Sequence, residues 1–293
     1  MHGENAPRRL SRDGVALRVY GEPGRPGILL WPGLGFTGAY FAGVVDALPG
    51  RCVVVDPPGW GGSPPLERYE RGRLLDLAVA VFESSRCVAV VGHSLGADLA
   101  VALANARPDG LRAVVLLDGG FEDDASRAAR NEPAHPSREE LLSLTRDDEL
   151  RFPDLDAAVA HLSAALGADP AVVAPVLREI FDTASGEARP TAPPERGVDL
   201  FLALRSHDAP ALAARLDVPT LLVAAGRVPA AGAAAGSSQP PDVRAAKRAA
   251  WEAFASASPL VDVHVAEDWH HHLVLQAPDE VGRLVGGWLQ RHV

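Results

Sequence analysis

The sequence of 293 residues contains little cysteine and fewer basic than acidic residues, and each of these scarcities excludes a class of protein. Its two cysteines, Cys52 and Cys87, lie in valine-rich runs and are too few for a disulfide framework or a cysteine-based metal centre. Buried thiols are expected instead. The formal net charge is −10, whereas nucleic-acid binding needs a clustered basic face. We therefore predict no nucleic-acid partner.

Long apolar runs are also missing. No uncharged apolar run reaches the ~18 residues needed to cross a bilayer, and the stretch MHGENAPRRLSRDG has no apolar core of signal-peptide length. The sequence therefore predicts a soluble, cytoplasmic protein with no membrane partner.

Lysine is nearly absent too. Lys247 is the only lysine, and all other basic residues of the Lys and Arg type are arginines. This bias is typical of a GC-rich genome, and we predict no function from it.

The first 120 residues alternate short apolar runs with helical patterns. Strands are predicted at 15–21, 28–31, 52–56, 87–92 and 111–118. Helices are predicted between them, at 38–48, 70–85 and 94–107. The last four strands are almost continuously apolar, as expected for parallel strands that are covered on both faces. The fold class is therefore α/β, with a doubly wound, mostly parallel sheet.

The pattern changes after Asp118. Residues 119–215 show no clear strand and several helical stretches, at 137–145, 152–166 and 170–184. Strand patterns return at 219–226 and 259–267, and an amphipathic helix closes the chain at 278–293. We predict one sheet domain formed by 1–118 and 216–293, with 119–215 inserted after strand six as a helical cap over the carboxyl edge of the sheet. The low-complexity segment 226–241 is predicted to be a mobile flap.

The stretch CVAVVGHSLGADLA at 87–100 carries the first functional signal. Gly92-His93-Ser94-Leu95-Gly96 matches G-x-S-x-G, and it stands between a strand pattern and a helix pattern, where that motif belongs. Side chains at the two glycine positions would strike the neighbouring strand or helix. Ser94 would sit at the N-terminus of a helix, whose partial positive charge favours a developing anion. We predict that Ser94 is a nucleophile.

These features resemble the α/β-hydrolase superfamily over nearly the whole chain apart from the inserted block. The resemblance implies that Pro32-Gly33-Leu34-Gly35 stands where relatives carry His-Gly-x-Gly, so that the backbone amides of Leu34 and Leu95 would form an oxyanion hole. It also matches 56–63, DPPGWGGS, to a glycine-rich loop beside the active-site cleft. We expect that loop to be structural, with Trp60 as a candidate substrate contact.

The resemblance also implies a general-base histidine after the last strand. The chain offers His270, His271 and His272, and the family's spacing of seven residues before the proline of the final helix selects His271, counted from Pro278. Adjacent histidines on a loop point in divergent directions, and no cysteine or carboxylate spacing supports them as ligands. We therefore predict His271 as the base and no metal site.

The acid that orients the histidine is harder to assign. In the family it commonly follows the seventh strand in a G-x-x-D pattern, but here that stretch is GRVP at 226–229, without a carboxylate. Asp118, at the end of the sixth strand, is the favoured candidate and preserves the order serine, acid, histidine. Asp242 is its rival, Glu122 is a more distant candidate, and a protein without any acid is the remaining alternative.

Serine as nucleophile argues against the epoxide and halide chemistry of relatives that use aspartate there. The predicted function is hydrolysis of a carboxylic ester or lactone through an acyl-enzyme, on a small or medium apolar substrate and without a cofactor. A thioesterase, a carbon–carbon bond hydrolase or a haloperoxidase would use the same residues. A catalytically dead, ligand-binding relative is an alternative of another class. The oligomeric state is left open.

Overall fold

The computed structural model describes residues 6–129, 133, 135–145, 150–227 and 241–293, with the side chains of 241–244 outside the description. An eight-stranded sheet organises the chain, in the order β1-β2-β4-β3-β5-β6-β9-β10. Its strands are β1 (Arg8–Arg12), β2 (Val15–Tyr20), β3 (Gly27–Trp31), β4 (Arg51–Asp56), β5 (Cys87–His93), β6 (Ala113–Leu117), β9 (Thr220–Ala225) and β10 (Val261–Ala266). A separate hairpin pairs β7 (Phe181–Asp182) with β8 (Arg189–Pro190).

The pairing makes most of this sheet parallel. Strand β2 runs antiparallel to both β1 and β4, and all pairs from β4 to β10 are parallel. The helices are α1 (Arg71–Ser84), α2 (Leu95–Ala106), α3 (Asp124–Ala128), α4 (Arg138–Leu144), α5 (Leu155–Leu166), α6 (Pro170–Ile180), α7 (Pro194–Leu204), α8 (Ala209–Ala213), α9 (Pro241–Ser256), α10 (Leu273–Gln276) and α11 (Pro278–Leu289). The predicted doubly wound, mostly parallel α/β sheet is confirmed.

Both faces of the central strands are buried, which explains their continuous apolar runs. Alternate residues such as Leu29 and Val90 pack with α1, α2 and α9, whereas Leu30 and Val91 pack with α11 on the other face. Parallel strands covered by helices on both sides read this way in sequence because neither face meets water. Because they are parallel, the strands β3, β4, β5, β6, β9 and β10 have their carboxyl ends at one edge of the sheet.

Two local predictions were wrong, and one strand was missed. The helix predicted at 38–48 is two short 3-10 turns, at Gly38–Phe41 and Val45–Ala47, because glycine and β-branched residues there disfavour a continuous α-helix. The helix predicted to reach residue 184 ends at Ile180, where the chain enters the hairpin instead. Strand β1 was not predicted, because all five of its residues are exposed and it pairs only through its backbone at the sheet edge.

The inserted residues 119–215 contact the carboxyl edge of the sheet. Glu179 of α6 accepts a hydrogen bond from Thr37, which follows β3, and Gly197 of α7 lies beside Leu34. Helices α5 and α6 share a hydrophobic cluster with one sheet face, and α7 and α8 share the cluster of the other. The division of the chain into core and cap stays a prediction. The predicted flap falls largely on 228–240, outside the described residues, and α9 begins directly after them.

Candidate active site

Ser94 occupies a sharp turn between β5 and α2. Its backbone has φ 52° and ψ −124°, a conformation that costs free energy for any residue with a side chain. The Ser94 N–H donates to the Leu117 carbonyl at 2.9 Å, which fixes the turn against the end of β6. A Cβ on Gly96 would collide with the Trp31 carbonyl, so the turn can pack on β3 only with glycine there. The strand–turn–helix geometry expected for the motif is present.

His271 lies against this serine, on the loop that follows β10. Its Nε2 is 2.9 Å from Ser94 Oγ, and its Nδ1 is 2.7 Å from Asp118 Oδ2. Nδ1–H donates to the carboxylate in the tautomer that leaves Nε2 free to accept the serine proton. The three side chains thus form one hydrogen-bonded line, with the histidine side chain 39% exposed and the aspartate side chain only 1% exposed.

Asp118 is held at the end of β6 by several partners. Its backbone has φ 46°, its N–H donates to the Val223 carbonyl, and its Oδ1 accepts from Ala225 N at 2.8 Å. Burial alone would raise the pKa of Asp118, but the ammonium of Lys247 and the hydrogen bond from His271 outweigh that effect and hold the pKa well below its usual range. The carboxylate therefore stays ionised beside the imidazole.

The two neighbouring histidines have different surroundings. The His270 backbone N–H donates to Gln276 Oε1, and its ring lies near Gly167 of the insertion. The His272 ring stacks edge-on against Phe36, and loss of contact with water lowers its pKa to about 3. Of the three histidines, the one that contacts both Ser94 and Asp118 is His271. Asp118 is likewise the carboxylate against His271, and the side chain of the rival Asp242 lies outside the described residues.

Comparison with known protein families agrees with this geometry. A sequence model described as the alpha/beta hydrolase family matches residues 28–284. The chain belongs to the alpha/beta hydrolase family. This assignment agrees with the strand order, the strained serine turn and the histidine loop described above.

Its relatives within the hydrolase family carry several names. A pimeloyl-[acyl-carrier protein] methyl ester esterase of Chromobacterium violaceum is 29% identical over 201 residues, covering 67% of this chain and 74% of that protein. A putative carbamate hydrolase of Caulobacter vibrioides is 35% identical over 122 residues, covering 38% of this chain and 45% of that one. The match to the carbamate hydrolase therefore spans less than half of that protein.

Solved structures share the fold at lower sequence identity. E-2-(acetamidomethylene)succinate hydrolase superposes with a TM-score of 0.73 at 20% identity, covering 98% of this chain and 100% of that one. A thioesterase domain from the curacin biosynthetic pathway gives the same TM-score and identity over 97% and 99% of the two chains. An esterase of Mycobacterium tuberculosis gives 0.68 at 19% identity over 98% and 92%.

The loop of this hydrolase that carries Leu34, a predicted oxyanion-hole residue, passes close to Ser94. A Cβ added to Gly33 would stand 2.9 Å from Ser94 Cβ, so the loop after β3 approaches the serine closely. Within the described residues, neither Leu34 N–H nor Leu95 N–H has a hydrogen-bond acceptor. Leu95 is the first residue of α2, where an N–H has no partner inside the helix. Two free amides beside the serine suit an oxyanion, although that role stays a prediction for both residues.

Trp60 lies deeper than expected for a residue that lines a cleft. The Trp60 ring is buried and belongs to the hydrophobic cluster of α1 and α2. Its part in binding substrate stays a prediction. The preceding Asp56 accepts hydrogen bonds from Gly38 N and Gly62 N and pairs with Arg18, so the loop is braced by its own carboxylate.

Two side chains at the site were not anticipated. His93, fully buried, places its Nε2 2.8 Å from the His271 carbonyl oxygen and 3.1 Å from Tyr40 Oη. Burial lowers the pKa of His93 well below its usual value, so the ring is neutral. Lys247 of α9, for which the sequence suggested no role, contacts Asp118 directly. The one sequence signal for it was that it is the only lysine.

Away from the triad, Asp124, His135 and His207 place ligand-type atoms within 4.8 Å of one another. The Asp124 carboxylate already contacts Arg205 at 2.5 Å, and Arg127 lies 3.8 Å away. These positive charges oppose a cation at the same carboxylate, so we assign no metal there.

No helix in the described parts of the chain is long and apolar enough to cross a bilayer. The cytoplasmic location stays a prediction.

Proposed function

We propose that this alpha/beta hydrolase cleaves carboxylic esters, lactones included, through an acyl-enzyme on Ser94. The observation that carries the proposal is the continuous hydrogen-bonded line from Ser94 Oγ through His271 to Asp118. Serine is a weak nucleophile by itself and needs an adjacent base, which in turn needs an orienting group. The hydrogen bonds among a serine, a histidine and a carboxylate support these three roles for Ser94, His271 and Asp118.

In the first half-reaction Ser94 Oγ attacks the ester carbonyl carbon while His271 Nε2 takes its proton. The Asp118 carboxylate holds the Nδ1–H and stabilises the imidazolium that forms. Negative charge on the former carbonyl oxygen would be received by the Leu34 and Leu95 amides. The imidazolium then gives its proton to the leaving alcohol, and the acyl group remains bound to the serine oxygen.

In the second half-reaction water attacks the acyl carbon while His271 Nε2 takes a proton from it. Collapse of the second tetrahedral intermediate releases the carboxylic acid, and the imidazolium returns its proton to Ser94 Oγ. Asp118 remains ionised throughout, which agrees with its strongly lowered pKa. The cycle balances with ester and water as the only reactants.

An apolar substrate is favoured by the side chains near the serine. Leu34 is 38% exposed although it is large and apolar, and it lies beside Gly197 of the insertion. Phe36 is half-buried two residues further along the same loop. The relative from Chromobacterium violaceum, named a methyl ester esterase, supports an oxygen ester as the bond cleaved.

Labelling with a fluorophosphonate and turnover of p-nitrophenyl acetate test the proposal. Wild type and the control Ser143→Ala, an exposed serine on α4, should label and turn over equally. Ser94→Ala should neither label nor retain turnover, with a loss of at least ~10⁴-fold. Near-normal turnover by Ser94→Ala would refute the serine assignment. A wild type that is folded yet inert toward both reagents would identify a ligand-binding relative.

Two further measurements refine the assignment. Of three single variants, His270→Ala, His271→Ala and His272→Ala, the folded but inactive one should be His271→Ala. A panel of matched oxygen esters, lactones and thioesters should show the highest kcat/KM for oxygen esters. Preference for thioesters would keep the mechanism and change the substrate class.

A further inference from the structure

Lys247 is unusual both as the only lysine of the sequence and as a buried lysine. The chain has 28 lysines and arginines, and Lys247 is the only lysine among them. It is also buried, whereas lysine is almost never fully buried unless its charge is paired. The one lysine of the chain is therefore an internal residue, and its ammonium group needs a partner inside the protein.

The ammonium sits on the carboxylate of Asp118. Its Nζ lies 2.9 Å from Oδ1 and 2.9 Å from Oδ2, and it donates to the Ala225 carbonyl at 3.2 Å. The side chains are 8% and 1% exposed. Since Ala225 N donates to Oδ1 as well, the carboxylate is held by the end of β9 and by α9 together.

A lysine suits this position better than an arginine would. An ammonium is a compact point charge that can bridge both carboxylate oxygens and still reach a carbonyl. A planar guanidinium needs a wider, fork-shaped site and would compete for the Oδ2 lone pair that faces His271 Nδ1. The contacts leave Oδ2 aimed at the histidine at 2.7 Å.

We propose that Lys247 is a positioning residue for the reaction, which fixes the Asp118 carboxylate toward His271 and sets how strongly the imidazolium is stabilised. The inference rests on the proposed ester hydrolysis. It goes beyond that proposal because it adds Lys247 to the hydrogen-bonded line of Ser94, His271 and Asp118. Helix α9 would then influence His271 through the Asp118 carboxylate.

The groups around His271 determine how removal of the Lys247 ammonium affects the imidazole. The imidazole faces the Asp118 carboxylate, the Ser94 hydroxyl, and the rings of His93 and His272. Both rings are uncharged, because burial lowers the pKa of each. Among the described residues that the imidazole faces, the charged one is therefore the Asp118 carboxylate, with the Lys247 ammonium behind it. Without the ammonium the carboxylate attracts the imidazolium more strongly, and the base is protonated at a higher pH.

The test compares Lys247→Met with Arg248→Met, its exposed neighbour on the same helix that pairs with Glu267 on the surface. Ser94-dependent fluorophosphonate labelling of the wild type is established first, since its failure would refute the proposed function itself. Lys247→Met should lower kcat by about 10- to 100-fold, an effect as large as that of removing a hydrogen-bond partner behind a metal-bound histidine or carboxylate. KM should change by less than about twofold, and Arg248→Met should match wild type.

The pH profile separates positioning from a merely structural role. The acid limb of kcat/KM in Lys247→Met should move to higher pH, while the limb of Arg248→Met stays in place. A folded Lys247→Met with unchanged kcat and an unchanged acid limb would overturn the proposal.

Wild-type protein gives a second measurement if Lys247→Met fails to fold. Lysine-selective ¹⁵N labelling yields one Nζ signal, because the chain has one lysine. That signal should shift with pH at the same midpoint as the acid limb of kcat/KM. A signal that is flat over this pH range would show that the ammonium does not sense the histidine and would overturn the proposal.

Discussion

Two buried carboxylates at the carboxyl edge of the sheet are built alike. Asp56 is the last residue of β4, and Asp118 follows directly after β6. Each pairs with one buried cation, Arg18 and Lys247 respectively, at 3.0 Å and 2.9 Å. Each also accepts hydrogen bonds from backbone N–H groups of neighbouring segments. A strand end with a carboxylate and a buried cation is therefore used twice in one fold.

The two carboxylates differ in the groups that donate hydrogen bonds to their remaining oxygen lone pairs. Both oxygens of Asp56 are satisfied by Gly38 N, Gly62 N and the fork of Arg18, so this carboxylate braces two loops. Asp118 reserves a lone pair of Oδ2 for His271, a group that can gain and lose a proton. The same kind of buried ion pair holds two loops in one case and faces the His271 imidazole in the other.

The largest effect expected is on catalysis, at Asp118. Asp118→Asn should lower kcat by about 10⁴-fold, as loss of the orienting carboxylate does in other serine triads. Asp56→Asn should destabilise the fold but keep kcat within about tenfold, because Asp56 has no contact with His271. Kinetics with p-nitrophenyl acetate and urea unfolding of both variants measure this contrast. A larger kcat loss in Asp56→Asn would break the comparison.

Stability should respond most strongly at Arg18. Arg18→Met leaves the buried Asp56 carboxylate without its cation, which typically costs about 3–5 kcal/mol of unfolding free energy. The control Arg12→Met removes an exposed arginine that donates to the Ser84 carbonyl, and it should change stability by less than about 0.5 kcal/mol. Equal urea midpoints for both variants would contradict a bracing role for the Asp56 pair.

Sequence patterns anticipated most of the sheet and selected Ser94, His271 and Asp118 as candidate site residues. Valine-rich runs mark β4, β5 and β6 because those strands are buried on both faces, and the serine turn has a short, local motif. The hairpin β7–β8 was missed because a two-residue strand leaves no periodic pattern. The placement of Ser94, His271 and Asp118 in one hydrogen-bonded line matches the expectation, and their catalytic roles remain to be tested.

The partners of the triad were beyond sequence reasoning. Lys247 is 129 residues from Asp118 along the chain and meets it only because α9 packs beside the ends of β6 and β9. A single lysine on a helix has no local feature that distinguishes a buried charge from a surface one. The structure supplies the missing information, namely which strand end the helix covers.

A third buried carboxylate, Asp98 on α2, sharpens the comparison because no cation in the described parts of the chain forms an ion pair with it. Burial raises its pKa to about 7, the opposite of Asp118. The folded protein then binds this proton more tightly than the unfolded chain does, so stability should fall as the pH rises from about 4 to about 7.

Asp98→Asn removes that dependence. Relative to wild type, the variant should gain unfolding free energy with rising pH, by up to about 4 kcal/mol at pH 8. Urea unfolding between pH 4.5 and pH 8 measures the difference, with the exposed Asp109→Asn as a control that should follow wild type. A constant difference between Asp98→Asn and wild type across this range would show that Asp98 is ionised throughout.

The smallest effect is expected where the Asp56 pair meets the insertion. Arg18 Nη1 also donates to Glu179 Oε1 at 2.7 Å, and Thr37 Oγ1 donates to Glu179 Oε2 at 2.7 Å. Glu179 belongs to α6, so this carboxylate ties the inserted helices to the loop that carries Leu34. Arg18 therefore contacts both the Asp56 carboxylate at the sheet and the Glu179 carboxylate of the insertion.

Glu179→Gln keeps the shape of the side chain and removes its charge, so the link is weakened rather than broken. Loss of charge-assisted hydrogen bonds to a partly exposed group should cost about 1–2 kcal/mol. KM should rise severalfold with kcat nearly unchanged, because the loop beside Ser94 loses support while the triad keeps its contacts. Glu187→Gln, exposed on the same insertion, is the matched control and should leave KM and the urea midpoint as in wild type. If Glu179→Gln behaves like Glu187→Gln, the loop after β3 is held by the sheet alone, and the Asp56 pair has no influence on substrate binding.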